Sequence, residues 1–167
     1  MRPLFVALLA LGLLIFESVL VKYLNLSITR IDVTVALVAY LALRAPLVSG
    51  AISAFLVGYL LDLASGSFTY LYTFLAVLLF LSARQAESLV DVRSSASFAV
   101  FAGAADVFHG LLALFFNWLV SPEAAVFGLL KAIPLQVVAT AAAAALLYPV
   151  LRRLEPGTDR PTPGILG

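Results

Sequence analysis

Long apolar runs, broken at short intervals by charges and turn-forming residues, organise this chain. A helix needs about 20 apolar residues to cross a bilayer. Six stretches approach that length: roughly Pro3 to Leu24, Ile28 to Leu43, Pro46 to Leu63, Phe68 to Ala83, Ser95 to Val120 and Ala124 to Leu151. Asn25 to Ser27, Arg44 to Pro46, Ser65 to Ser67 and Ser121 to Glu123 make brief links, and Arg84 to Ser94 is the longest and most charged. After Leu151 the chain turns rich in Pro and Gly, which predicts a short disordered tail. The expected architecture is all-α: a polytopic bundle of six transmembrane helices over residues 1–154, then a tail over 155–167. The first run contains Glu17 and lacks a small-residue cleavage pattern, so it reads as a retained helix rather than a leader.

The stretch from Leu43 to Asp62, LRAPLVSGAISAFLVGYLLD, is the most informative. Gly50, Ala54, Gly58 and Asp62 fall four apart and form one slowly winding stripe on a helix. Small residues at that spacing let a second backbone come close. A carboxylate in such a stretch costs several kcal/mol without a partner, so this face is expected to meet protein rather than lipid.

Composition narrows the class. Of 167 residues 63% are hydrophobic and 11% charged, with mean hydropathy +1.12. A soluble domain carries about 25% charged residues, and too few remain here to coat a soluble surface. The net charge of +1 comes with no basic patch, which excludes nucleic acid as an expected partner. The absence of cysteine excludes disulfides and thiolate metal sites, and the single histidine excludes a multi-histidine cage.

Positive residues predict orientation. With six spans, Arg2, Arg44, Arg84, Arg93, Arg152, Arg153 and Arg160 share a side, against Lys22 and Arg30 on the other. Both termini are therefore expected in the cytoplasm, with the chain multi-pass in the inner membrane. That orientation sets depths. Glu17 and Lys131 fall about two turns below the outer surface at matching depth, a natural ion pair. Asp32 and Asp62 fall near outer helix ends, and Asn117 near the outer end of the fifth span. The alternatives are solvation of Asp32 and Asp62 by headgroup water, and outward snorkelling of Lys131. The aromatic residues Phe68, Tyr70, Tyr72 and Phe74 read as an outer interfacial belt.

Asp106 and His109 lie deeper, three apart on one helix face, flanked by Gly103 and Gly110 as marks of close helix contact. They permit a proton relay or a hydrolytic acid/base pair, against a buried hydrogen-bonded pair that locks the fifth helix, which is the favoured reading. One histidine and scattered carboxylates are fewer ligands than a metallohydrolase needs, and no G-x-S-x-G nucleophile turn occurs. No catalytic, cofactor or metal residues are therefore expected. Pro134 should kink the sixth helix, and Ala141 to Ala145 offer it a smooth packing surface.

Around the hairpin of the second and third helices, Arg30-Ile-Asp32-Val, LVAYLALRAPLVSG and FLVGYLLDLASGS resemble the bacterial rod-shape-determining MreD family. That family's pattern is roughly R-P-D-L, an apolar helix ending in a basic residue, a glycine-rich helix, then G-x-x-x-D-x-x-S-G. Gly58, Asp62, Ser65 and Gly66 fit it, while Ile31 replaces the proline. The resemblance implies a non-enzymatic, cofactor-free component of the cell-elongation machinery. It would act in peptidoglycan synthesis and cell shape with the bitopic protein MreC and, indirectly, with MreB, RodA and its transpeptidase. It also implies a fold similar to the S components of energy-coupling-factor vitamin transporters, which keeps a small-molecule binder as the alternative. The partner-binding or structural candidates are Asp62, Asp32, Glu17, Lys131, Gly50, Gly58, Asp106 and His109.

Overall fold

A computed structural model describes residues 3–23, 32–65, 70–87, 90, 92–120 and 126–154. Among them the chain forms six helices and no strand: α1 (Pro3–Tyr23), α2 (Val33–Arg44), α3 (Leu47–Ser65), α4 (Leu71–Ala86), α5 (Ser95–Val120) and α6 (Val126–Leu154). The tail expected over 155–167 lies outside the described residues, as do Arg30, Gly66 and Phe68.

Three helical stretches are long and apolar enough to cross a membrane, Leu47–Ser65, Ser95–Phe116 and Ile133–Arg153. The other described apolar stretches, Phe5–Phe16, Val33–Arg44 and Leu71–Ala86, are shorter. The all-helical expectation holds and a membrane protein is supported, but among the described residues length and composition provide three spans rather than six.

The short α2 occupies the middle of the bundle. Its 12 residues rise about 18 Å, well under the ~30 Å of a hydrocarbon core. Every residue from Val33 to Leu43 is buried, and α2 touches each of the other five helices. A helix apolar all round is one enclosed by neighbours. Tyr40 anchors this packing, its ring edge-on to Phe98 at 5.9 Å and to Tyr148 at 6.2 Å, which ties α2 to α5 and α6.

At the C-terminus of α2 the last carbonyls have no helical partner. Arg84 of α4 supplies one: Nη1 donates to Ala42 O at 2.8 Å and to Ala45 O at 3.0 Å. A cation at a helix C-terminus also complements the helix dipole. Glu87, 3.2 Å from the same nitrogen, balances the charge.

The small-residue stripe of α3 faces α4. A Cβ on Gly58 would stand 2.5 Å from Thr73 Cα and 2.7 Å from Tyr72 O. A Cβ on Gly50 would stand 2.5 Å from the Phe80 ring. At Gly58 the obstacle is backbone, so the two helices can pack at this distance only with glycine there; at Gly50 it is the tip of a side chain. The glycines of α5 behave differently. At Gly103 a Cβ would meet Ala141 and Val137 at an ordinary 3.6 Å, and at Gly110 nothing lies within 4 Å. The close helix contact expected there is thus an ordinary contact at Gly103 and none at Gly110. The α6 helix continues through Pro134 and Pro149.

Candidate functional site: two buried carboxylate centres

Asp62 sits on the last turns of α3, 2% exposed. Its carboxylate reaches the start of α4: Oδ1 accepts the Tyr72 N–H at 3.2 Å, and Oδ2 accepts the Thr73 N–H at 2.9 Å and the Thr73 hydroxyl at 2.5 Å. These N–H groups belong to the first turn of α4 and have no partner within the helix. Tyr70, the residue that should cap them, has left-handed backbone (φ 52°) and no side-chain cap bond. Asp62 therefore acts as an N-cap supplied from another helix, with the negative charge the α4 dipole favours. Ser65 closes the same turn by donating its hydroxyl to Asp62 O at 2.9 Å. Gly58 admits the α4 backbone one helical turn away, so Gly58, Asp62 and Ser65 form one joint. Thr73 and Tyr72 complete it; the alternation of polar and aromatic residues after the turn could have indicated them.

The second centre joins α2, α5 and α6. Asp32 is the N-cap residue of α2, yet its side chain makes no cap bond to that helix. Its carboxylate turns toward α5 and α6. Oδ2 accepts from Gln136 Nε2 at 2.9 Å and stands 3.9 Å from His109 Nδ1. The Asp32 N–H donates to Thr140 Oγ1 at 3.2 Å. Gln136 Nε2 also donates to Asp106 Oδ1 at 3.3 Å, so one amide group bridges both carboxylates. Asp106 is 1% exposed and His109 8%. One ligand-type atom from each of Asp32, Asp106 and His109 lies within 4.8 Å of the others. Asp106 Oδ2 is buried and accepts no hydrogen bond; Thr140 faces the same carboxylate without bonding geometry to that oxygen.

The depth argument had separated Asp32, at the mouth, from Asp106 and His109 below it. The fold brings the three together, 74 positions apart along the chain between Asp32 and Asp106. Gln136 and Thr140 were missed. Four apart on one face of an otherwise Ala- and Leu-rich helix, they were the signal that a polar partner would meet α6 there. Beside His109, a small space of about 10 Å³ is lined by Thr34, Val57, Leu61 and Tyr72, room for about one water.

The remaining predicted residues fall elsewhere. Gly50 packs under Phe80 as described. Glu17 and Lys131 belong by backbone to α1 and α6, but their side chains, like that of Asn117, lie outside the described residues. Tyr70 and Phe74 are exposed and Tyr72 half-buried. At the opposite end of the bundle, Arg44, Arg93, Arg152, Glu87 and Tyr148 line a cleft of about 520 Å³, and Arg44 Nη2 donates to the Tyr148 hydroxyl at 3.5 Å.

The fold and both centres define a helical membrane-type protein held by buried polar joints. Among protein-family models, curated proteins and solved structures, none matches the chain.

Proposed function

We propose that this chain is a non-enzymatic inner-membrane scaffold of the bacterial cell-elongation machinery, binding an MreC-type bitopic protein and through it the peptidoglycan-synthesis complex. The observation that carries this reading is the unity of the α3–α4 joint. The residues that resemble the MreD pattern, Gly58, Asp62 and Ser65, act together in one structural task. A pattern that specifies a packing joint is what a family defined by its fold and assembly would retain. In this reading the chain is a multi-pass membrane protein with both termini in the cytoplasm. The gathering of Arg44, Arg93 and Arg152 around one cleft supports a shared, positively charged side.

Because the Asp62 carboxylate is spent on α4, partner contact in this reading falls on surfaces outside that joint. The competing reading, an S-component-like vitamin binder, is less well supported. Among the described residues, the space beside His109 is about 10 Å³, below the ~300 Å³ of a small-molecule pocket.

The test is to co-express the tagged full chain with the MreC-type protein of the same genome, solubilise the membranes and purify on the tag. A stoichiometric complex, together with rounding of rod-shaped cells on depletion, is the expected result. Recovery of the chain without that protein, carrying a tightly held metabolite by native mass spectrometry, would replace the scaffold reading with the transporter one.

A further inference from the structure

We propose that the cleft at the arginine end of the bundle and the apolar groove beside it form one binding site for an anionic phospholipid. Its phosphate is held by Arg44, Arg93 and Arg152, and one acyl chain lies between α4 and α5. The inference rests on the chain being a membrane protein and not on the scaffold reading.

The cleft gathers three cations from separate places in the chain. Arg44 is the last residue of α2, Arg152 lies in the last turn of α6, and Arg93 stands two residues before α5. All three are exposed and line the same space of about 520 Å³. Among the described residues that line it, Glu87 is the carboxylate, and Arg84 stands 3.2 Å from it. Tyr148 is the buried member of the lining, its hydroxyl accepting from Arg44 Nη2 at 3.5 Å. A hydroxyl that accepts can also donate.

A simpler cause for cations here is the helix dipole. The C-termini of α2 and α6 end at this cleft, and a cation complements each. That accounts for Arg44 and Arg152 but not for Arg93. The start of a helix favours negative charge, so Arg93 lies at the wrong end of α5 for its own helix. A shared anion accounts for all three. Guanidinium groups match phosphate oxygens in bidentate pairs, and basic pockets between membrane helices bind phospholipid headgroups.

The second observation chooses a lipid over a free anion. A groove of about 270 Å³ runs between α4 and α5, lined by Leu79, Ala83 and Ala86 on one side and by Phe101, Ala105 and Phe108 on the other, with Ser82 its polar member. Val90 lines both the groove and the cleft, so the two spaces adjoin. Gly58 lets the backbones of α3 and α4 meet, whereas the alanines here leave a furrow. Phe108 lies about 20 Å along α5 from Ser95, and one leaflet holds about 15 Å of hydrocarbon. The groove thus has the direction and length of an acyl chain hanging from a headgroup in the cleft.

The test adds single lipids to the full chain purified in neutral detergent and reads bound lipid by native mass spectrometry. Phosphatidylglycerol is the probe. Phosphatidylcholine, whose choline cation the arginines oppose, is one control, and glycerol phosphate, a headgroup without chains, is the other. One phosphatidylglycerol per chain is expected, held about tenfold or more tightly than either control. Arg93→Gln and Arg152→Gln should each weaken it about fivefold. Arg153→Gln removes the same charge from the same helix end, outside the cleft lining, and should bind as the parent does. Ala104→Trp, at an exposed position on the groove wall, should weaken phosphatidylglycerol and leave glycerol phosphate unchanged. If that variant misfolds on size-exclusion chromatography, the exposed arginine variants and the two controls decide. Equal retention of phosphatidylcholine would overturn the proposal in favour of ordinary boundary lipid. Equal binding of glycerol phosphate would overturn the lipid assignment in favour of a soluble anion. Parent-like binding by both arginine variants would overturn the site itself.

Discussion

Asp62 and Asp106 are both carboxylates almost wholly withdrawn from solvent, and they are treated in opposite ways. Three donors from one turn of α4 converge on Asp62. Asp106 accepts one N–H of the Gln136 amide, which also donates to Asp32, and its Oδ2 has no hydrogen-bond partner. A buried acceptor left without a donor costs about 1–3 kcal/mol, so the first centre contributes to folding and the second draws on it. The difference lies in what stands opposite. Asp62 faces the exposed N–H groups of a helix start, whereas Asp106 faces the side chains of Asp32, His109 and Gln136.

Substitutions can separate the two centres. The largest effect is expected at Gly58→Leu. Its Cβ alone would fall 2.5 Å from Thr73 Cα, and backbone cannot move aside as a side-chain tip can. The α3–α4 joint should not form, with a loss above about 4 kcal/mol, seen as aggregation on size-exclusion chromatography. Asp62→Leu should come next, costing about 3–4 kcal/mol by leaving three donors unanswered; steric-trap unfolding in bilayers would measure it. A loss below about 1 kcal/mol would mean that water caps α4 as well as the carboxylate does.

Arg84→Met tests the same logic at a C-terminus. Losing the donor to Ala42 O and Ala45 O should cost about 2 kcal/mol, read as reduced protection of the α2 amides in hydrogen exchange. Gln136→Leu should be the mildest, costing about 1 kcal/mol, because Asp32 and Asp106 lose a bridge that satisfies them only in part. A loss as large as that at Asp62 would erase the distinction between the centres.

The joint was legible in sequence because its parts are local. Gly50, Ala54, Gly58 and Asp62 repeat every four residues, and a period on one helix announces a contact face. The bounds of α5, Ser95–Val120, followed from its long, mostly apolar run. The second centre was not legible for the complementary reason. Asp106 and His109 share a face, but Asp32 and Gln136 come from other helices, and a single sequence holds no record of which helices touch. The depth estimate failed Asp32 because it treated every helix as a full crossing. In α2 the helix begins only at Val33 and is 12 residues long, too short for that arithmetic. The α4 helix starts at Leu71, after Tyr70 in left-handed backbone, rather than at Phe68.

A ribosome threads this chain into the bilayer from its N-terminus, so α2 is made before α4, α5 and α6. At that moment its C-terminal carbonyls, which Arg84 later receives, have no donor, and its ~18 Å of helix cannot reach across the lipid. The contacts that enclose α2 are therefore complete only once α4, α5 and α6 have been made.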